Sequence, residues 1–129
     1  MAIPSGSGTE VLCRGTAHAL SSTDTALRFD RSPVSAVGTN TVTVPANHVI
    51  SLISLSFTEA GGSTTETVHL IINDGTNDIY LLKAQSVEAN STFIWNDRIV
   101  IGAGDKVSVF CDSAANVDVY YTYIDQDWT

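Results

Sequence analysis

The chain has 129 residues, 43% of them hydrophobic, which suits one domain with one core and is too short for two. Fourteen acidic residues against six Lys and Arg give a net charge of −8, which opposes binding to nucleic acid or anionic membrane surfaces. The few cations are scattered, so no basic patch offsets this charge. We therefore predict one acidic domain spanning residues 1–129, with neither nucleic acid nor membrane as a partner.

The chain opens with small and flexible residue types, and we predict that residues 1–8 form a flexible N-terminal arm. Ile3 and Pro4 in this arm are candidate contacts with another subunit. The segment lacks the basic start and apolar stretch of a secretory signal, so we expect synthesis in a reducing cytoplasm. Cys13 and Cys111 then behave as small buried hydrophobes, with a disulfide between the first and last strands as the alternative.

Apolar and polar residues alternate along most of the chain, between turns rich in Gly, Asn, Asp and Ser, which predicts β-strands. Residues 16–30 are ambiguous, with a short helix as the alternative to a strand. In the strongest segment the apolar parity changes by one residue between Leu52 and Ile53, the pattern that a β-bulge produces. The predicted strands are 9–14, 26–29, 41–44, 48–58, 67–72, 79–82, 91–95, 98–101, 107–111 and 117–124.

Two turns are specified by their residue types. Residues 73–77 contain Asp-Gly and predict a hairpin, because this pair tolerates the positive φ angles of tight turns. Calcium binding by the oxygen-rich side chains there is the alternative, but the spaced ligands and later Glu of a calcium loop are missing. Gly102 and Gly104 permit a second reversal, in which Asp105 can bond backbone amides.

The pattern of eight to ten short strands predicts an all-β fold, an antiparallel β-sandwich or jelly roll. His18, His48 and His69 are not at metal-ligand spacing, and no nucleophile elbow or phosphate-binding loop is present. A cupin-like enzyme would need a cluster of histidines inside the barrel. We therefore predict no enzyme activity, no catalytic residue, no metal and no cofactor.

Aromatic residues near the C-terminus are the most informative candidates for binding. Tyr120, Tyr121 and Tyr123 place aromatic rings on both faces of one predicted strand, and Trp128 follows it. One face is expected to pack in the core, and the other needs cover. Aromatic side chains are favoured at protein interfaces, so a subunit contact is one option. Stacking on sugar rings is the other.

Several segments together resemble small tailed-phage virion proteins. The resemblance covers residues 40–124 and consists of strand and turn patterns, with no catalytic signature. Its first element is a Val-Pro-Ala segment that leads into a long apolar strand, and the rest follow in order. The matching segments are Val44–Leu55, Thr67–Ile72, Val87–Thr92, Ile99–Val109 with its Gly-x-Gly-Asp turn, and Ser113–Val119.

The resemblance implies a jelly-roll or tumour-necrosis-factor-like sandwich, often trimeric, that decorates or cements a capsid. We accordingly expect a homotrimer that binds the major capsid protein on the virion surface after synthesis in the host cytoplasm. A tail or fibre component, or a carbohydrate-binding module, is the alternative. The candidate interface residues are Ile3, Pro4, Tyr120, Tyr121, Tyr123 and Trp128.

Overall fold

A computed structural model describes residues 9–30, 41–113 and 116–128, which form β-strands and connecting turns. The predicted arm, with Ile3 and Pro4, lies outside these residues. No helix long and apolar enough to cross a membrane occurs in the described ranges. The strands are β1 Thr9–Ala17, β2 Thr25–Ala26, β3 His48–Glu59, β4 Glu66–Asn73, β5 Asp78–Val87, β6 Thr92–Trp95, β7 Ile99–Ile101, β8 Lys106–Cys111 and β9 Val117–Asp127.

The strands form two antiparallel sheets. In the first sheet the order is β1-β9-β3, and both β6 and β7 pair with β3; in the second the order is β2-β8-β4-β5. β6 pairs with residues 55–58 of β3 and β7 with residues 50–52, so they are two parts of one interrupted strand. Two antiparallel sheets, of five and four strands, thus form a β-sandwich of the jelly-roll type, which confirms the predicted fold class.

The core lies between the inner faces of the two sheets. β3 contributes Leu52, Leu55 and Phe57, all fully buried. Tyr121 and Tyr123 of β9 enter the same core and meet the ring of Phe29 edge-on, at centroid distances of 6.2 and 5.1 Å. Phe29 follows the short strand β2, so this aromatic group joins the two layers. Edge-to-face packing is a preferred geometry for such rings.

The predicted β-bulge in β3 is confirmed, since its register against β9 shifts between Leu52 and Ser54. Leu52 and Leu55 are both buried although they lie three residues apart, because the extra residue, Ile53, resets the alternation. Ile53 itself is half-buried and does not share the buried face of Leu52 and Leu55. The predicted strand 41–44 was wrong, as only a single bridge, Thr43 to Lys106, forms there.

The carboxylate of Glu59 holds two loops at the end of β3. It accepts hydrogen bonds from the backbone N–H groups of Gly61 at 2.7 Å, Gly62 at 2.9 Å and Asn90 at 3.0 Å. These bonds, led by those from Gly62 and Asn90, hold the pKa of Glu59 below its ordinary value although burial opposes the shift. A buried acid thus replaces backbone partners that the loops lack.

The hairpin predicted at residues 73–77 joins β4 to β5. Asp74 Oδ1 accepts hydrogen bonds from the N–H groups of Asn77 at 2.8 Å and Thr76 at 3.0 Å, which lower the pKa of its carboxyl. Asn73 Oδ1 accepts one from the N–H of Gly75. The oxygen atoms proposed as calcium ligands therefore bind the amides of their own turn.

In the second predicted turn, Asp105 Oδ2 accepts a hydrogen bond from the backbone N–H of Gly102 at 2.9 Å. Asp105 therefore bonds a backbone amide, as predicted.

Both cysteine thiols are buried, as predicted, and no disulfide joins them. Cys13 lies on β1 in the first sheet, where its thiol contacts the carbonyl oxygen of Val11 at 3.5 Å. Cys111 ends β8 in the second sheet. Burial, reinforced by the negative charges of Glu66 and Asp112, raises the pKa of the Cys111 thiol to about 11. A thiol this hard to ionise is a poor nucleophile and a poor partner for oxidation.

Candidate interaction surface

The aromatic residues of β9 divide between the core and the surface. Tyr121 and Tyr123 are 1% and 0% exposed, whereas Tyr120 is 50% exposed on the opposite face. Core packing of one face of this strand is confirmed, and the two buried rings are not available to a partner. Tyr121 and Tyr123 are therefore corrected as interface candidates, whereas Tyr120 and Trp128 stay predictions. Trp128 is half-buried, and its backbone N–H donates to the backbone carbonyl oxygen of Asn47.

A row of residues crosses four strands on the outer face of the first sheet, and three of its four side chains are apolar. Leu12 of β1 lies opposite Ile124 of β9, which lies opposite Ser51 of β3, and Ser51 lies opposite Val100 of β7. We call these four residues the apolar row. Leu12 is 60% and Val100 68% exposed. Both residues lie on edge strands of the sheet, β1 and β7, and the half-buried side chains of Ile124 and Ser51 lie between them.

Two other features lie at the same end of the first sheet. Thr9, where β1 begins, lies opposite Asp127, the residue before Trp128. Thr9 is also the first residue that the structure describes, and it lies three residues before Leu12 on β1. The sequence alone does not bring Asp127 and Thr9 together, because their proximity depends on the antiparallel pairing of the first strand with the last.

The opposite half of this outer face carries a groove of about 270 Å³, which we call the Tyr120 groove. Within it, His18 Nδ1 lies 2.7 Å from Asp118 Oδ1, and the N–H of Ala19 donates to the same oxygen at 3.0 Å. The groove is lined by Thr16, Ala17, His18, Ser56, Thr58, Asp118, Val119 and Tyr120.

Charge is sparse on this outer face. Among the strand residues whose side chains point outward there, only Glu10, Arg14 and Asp118 are charged, a sum of −1 in a chain of −8. Arg14 lies opposite Thr122, in the row between the apolar row and the Tyr120 groove. Repulsion between this face and another acidic molecule is therefore weaker than repulsion between that molecule and the other surfaces of the chain.

Each of the three histidines is paired with an aspartate. His48 Nδ1 lies 2.8 Å from Asp125 Oδ1, and His69 Nε2 lies 2.6 Å from Asp112 Oδ1, in addition to the pair in the Tyr120 groove. The three pairs lie in different parts of the fold. No group of three or more His, Cys, Asp or Glu side chains suited to a metal ion occurs in residues 9–30, 41–113 and 116–128.

His69 shows how the outer face of the second sheet is covered by its own side chains. Its Nδ1 accepts a hydrogen bond from the N–H of Ala84 at 3.1 Å, so the ring proton lies on Nε2, which donates to Asp112. The ring stacks on Phe110 at 4.3 Å and meets Tyr80 edge-on. The side chain lies on the outer face but is 6% exposed because these rings cover it.

No protein-family model and no curated protein sequence matches the chain. Solved structures match by fold. A protein of Bacillus endospore appendages, described as a family of disulfide-linked pili, has TM-score 0.51 at 11% identity and covers 99% of this chain and 96% of its own. The vertex protein P5 of PRD1 has TM-score 0.50 at 15% identity, covering 96% and 100%. The extra small virus of the giant freshwater prawn Macrobrachium rosenbergii gives 0.47 at 11%, covering 98% and 84%. For the appendage protein and the vertex protein, the likeness at these identities shows a shared fold and nothing more.

Proposed function

We propose that the chain is a structural protein of a phage virion, and specifically a decoration protein that cements the capsid. The observation that carries the proposal is the apolar row, whose end residues Leu12 and Val100 are exposed on the two edge strands of one sheet. The jelly-roll fold agrees with this role, since one protein of similar fold is named as a vertex protein and another as a pilus component. Both names describe parts of assemblies.

The proposed mechanism is the burial of the apolar row against the major capsid protein. Full burial of a Leu, Ile or Val side chain contributes about 1.5–3 kcal/mol, so three such residues give several kcal/mol per copy. In this proposal Trp128, which follows β9, extends the surface, and Ile3 and Pro4 of the predicted arm add further contacts. A homotrimer would engage three capsid subunits at once, and linked contacts strengthen one another through effective concentration.

The distribution of charge supports the same orientation. The contact face carries little charge, while most of the fourteen acidic residues lie elsewhere in the chain. In the proposed arrangement these acids face solvent on the outside of the capsid. Negative charge there would keep particles soluble and would repel stray nucleic acid.

The test combines oligomeric state with binding to particles. Light scattering after size exclusion is expected to give the mass of a trimer, and the purified chain is expected to co-sediment saturably with capsids of the phage that encodes it. A Leu12→Gln/Val100→Thr double variant should keep its fold and lose most of this binding. The control is Ile79→Gln, because Ile79 is also exposed, at 46%, but lies on β5 of the other sheet.

A micromolar monomer that does not bind capsids would overturn the proposal, as would a double variant that binds as well as the wild type. Electron microscopy of labelled virions distinguishes the alternative location. Label on the tail or fibres and none on the head would replace the decoration role with that of a tail component.

A further inference from the structure

We propose that the Tyr120 groove binds one ring of a neutral sugar. The inference does not depend on the proposed function, because the groove and the apolar row are separate. Tyr120 and Ile124 are four residues apart on β9, which corresponds to about 13 Å along a strand. Arg14 and Thr122 lie in the row between them.

Tyr120 supplies the surface on which a sugar ring can stack. Its side chain is half-exposed. The face of an aromatic ring is electron-rich and attracts the electropositive C–H groups on one side of a sugar. Because the strand fixes the backbone and a tyrosine has few rotatable bonds, this surface costs little entropy to order.

The polar groups of the groove are positioned for hydroxyl groups. Asp118 is held by His18 and by the N–H of Ala19, both through Oδ1, and its carboxylate retains further capacity to accept hydrogen bonds. On the facing strand, the hydroxyl of Ser56 donates to the carbonyl oxygen of Tyr120, and that of Thr58 bonds Thr92. Each hydroxyl can make additional bonds, and alternating donors and acceptors are what a sugar presents.

Charge and size select the ligand class. The groove is lined by one carboxylate and by neither Lys nor Arg, so phosphate, sulfate and acidic sugars are disfavoured. Its volume of about 270 Å³ lies just below the range of about 300–1,000 Å³ typical of small-molecule pockets. One sugar ring fits this space, whereas a large cofactor does not. A mixture of one aromatic surface and several polar groups is also the usual composition of a ligand site.

The test is an NMR titration of the ¹⁵N-labelled full chain with glucose, galactose, mannose and N-acetylglucosamine, each at millimolar concentrations, with glucuronate as the acidic comparison. At least one neutral sugar is expected to shift amide signals of residues 16–18, 56–58 and 118–120, and to do so more than glucuronate. Tyr120→Ala should weaken the binding by about tenfold or more, and Tyr120→Phe should retain most of it.

The control is Tyr80→Ala, since Tyr80 is 44% exposed on the second sheet. It should leave the titration unchanged, and the spectra of all variants report whether they are folded. No shift with any of the four neutral sugars would overturn the inference. So would shifts confined to other parts of the chain, stronger binding of glucuronate, or binding that Tyr120→Ala leaves intact.

Discussion

The ring of Tyr121 lies directly over Gly15, its partner across the β1–β9 ladder. A Cβ atom at position 15 would be only 2.1 Å from Tyr121 Cζ. The space that glycine leaves lets the ring cross the sheet toward the second layer. There its hydroxyl donates to the carbonyl oxygen of Arg28 at 2.6 Å and accepts from the N–H of Arg28 at 2.8 Å. Gly15 and Tyr121 together therefore allow the hydrogen bonds that join the first sheet to the segment that follows β2.

Gly15→Ala is expected to destabilise the fold by about 1–3 kcal/mol, the usual cost of forcing an extra methyl group into a packed site. The ring cannot move away without breaking its bonds to Arg28. Urea denaturation followed by circular dichroism measures the loss. Thr16→Ala, on the exposed face of the same strand, should change stability by less than about 0.5 kcal/mol. Equal stabilities for the two variants would show that the ring yields freely.

Tyr121→Phe keeps the ring and removes the hydroxyl, which leaves both backbone groups of Arg28 without that partner. We expect a loss of about 1–3 kcal/mol. Tyr120→Phe is the matched control, because the Tyr120 ring is exposed and its change should be neutral. If both variants unfold at the same urea concentration, the bonds to Arg28 contribute no net stability.

Tyr121 also predicts how the fold responds to alkali. Burial raises the pKa of its phenol from 10 to about 12, outweighing the opposing effect of the hydrogen bond to Arg28. A raised pKa means that the neutral form is favoured in the folded state. The contribution of the neutral Tyr121 phenol to the free energy of unfolding is therefore complete below pH 10 and is lost as pH rises toward about 12. Denaturation midpoints across this range should fall more steeply for the wild type than for Tyr121→Phe, and parallel curves would contradict the assignment.

Local features of the sequence predicted much of this fold. The parity change at Ile53 revealed the bulge, and Asp-Gly at residues 74–75 revealed the hairpin, because both signals are contained in a few neighbouring residues. The roles of Tyr121 and Glu59 were missed. Tyr121 bonds a residue 93 positions away, and Glu59 bonds Asn90, 31 positions away. Such partners become visible only when the strand order is known.

The candidate surface was predicted in part for the same reason. An aromatic strand with two faces was evident, but the sequence did not show which parity pointed inward. That choice depends on Gly15, which admits the Tyr121 ring, and on Phe29, which packs against it. Leu12 and Val100 were not singled out at all. Each is an ordinary apolar strand residue, and only the pairing of four strands places them in one exposed row.

The Glu59→Gln variant tests whether the charge of the Glu59 carboxylate stabilises the loops that follow β3 and precede β6. The lowered pKa means that the carboxylate stabilises the folded state above pH 4.5 and that this contribution disappears as pH falls through the folded pKa. The variant should therefore be less stable than the wild type at neutral pH, and the difference should shrink below pH 4.5. Glu88→Gln, an exposed neighbour, is the control. A difference that does not depend on pH would assign the effect to packing instead of charge.

Trp95 provides a prediction in the opposite direction, because its side chain carries a polar atom that the fold does not satisfy. The indole N–H is buried and has no hydrogen-bond partner among the residues that the structure describes. A buried donor without a partner costs about 1–3 kcal/mol, and Trp95→Phe removes that donor while it keeps an aromatic ring against the core. The smaller ring loses some apolar contact, so the two effects oppose each other. We expect the free energy of unfolding of Trp95→Phe to lie within about 1 kcal/mol of the wild-type value. Trp95→Ala also loses the apolar contact, so it should lower this free energy by about 2–4 kcal/mol. If Trp95→Phe were as damaging as Trp95→Ala, the indole N–H would have to make a bond that stabilises the fold.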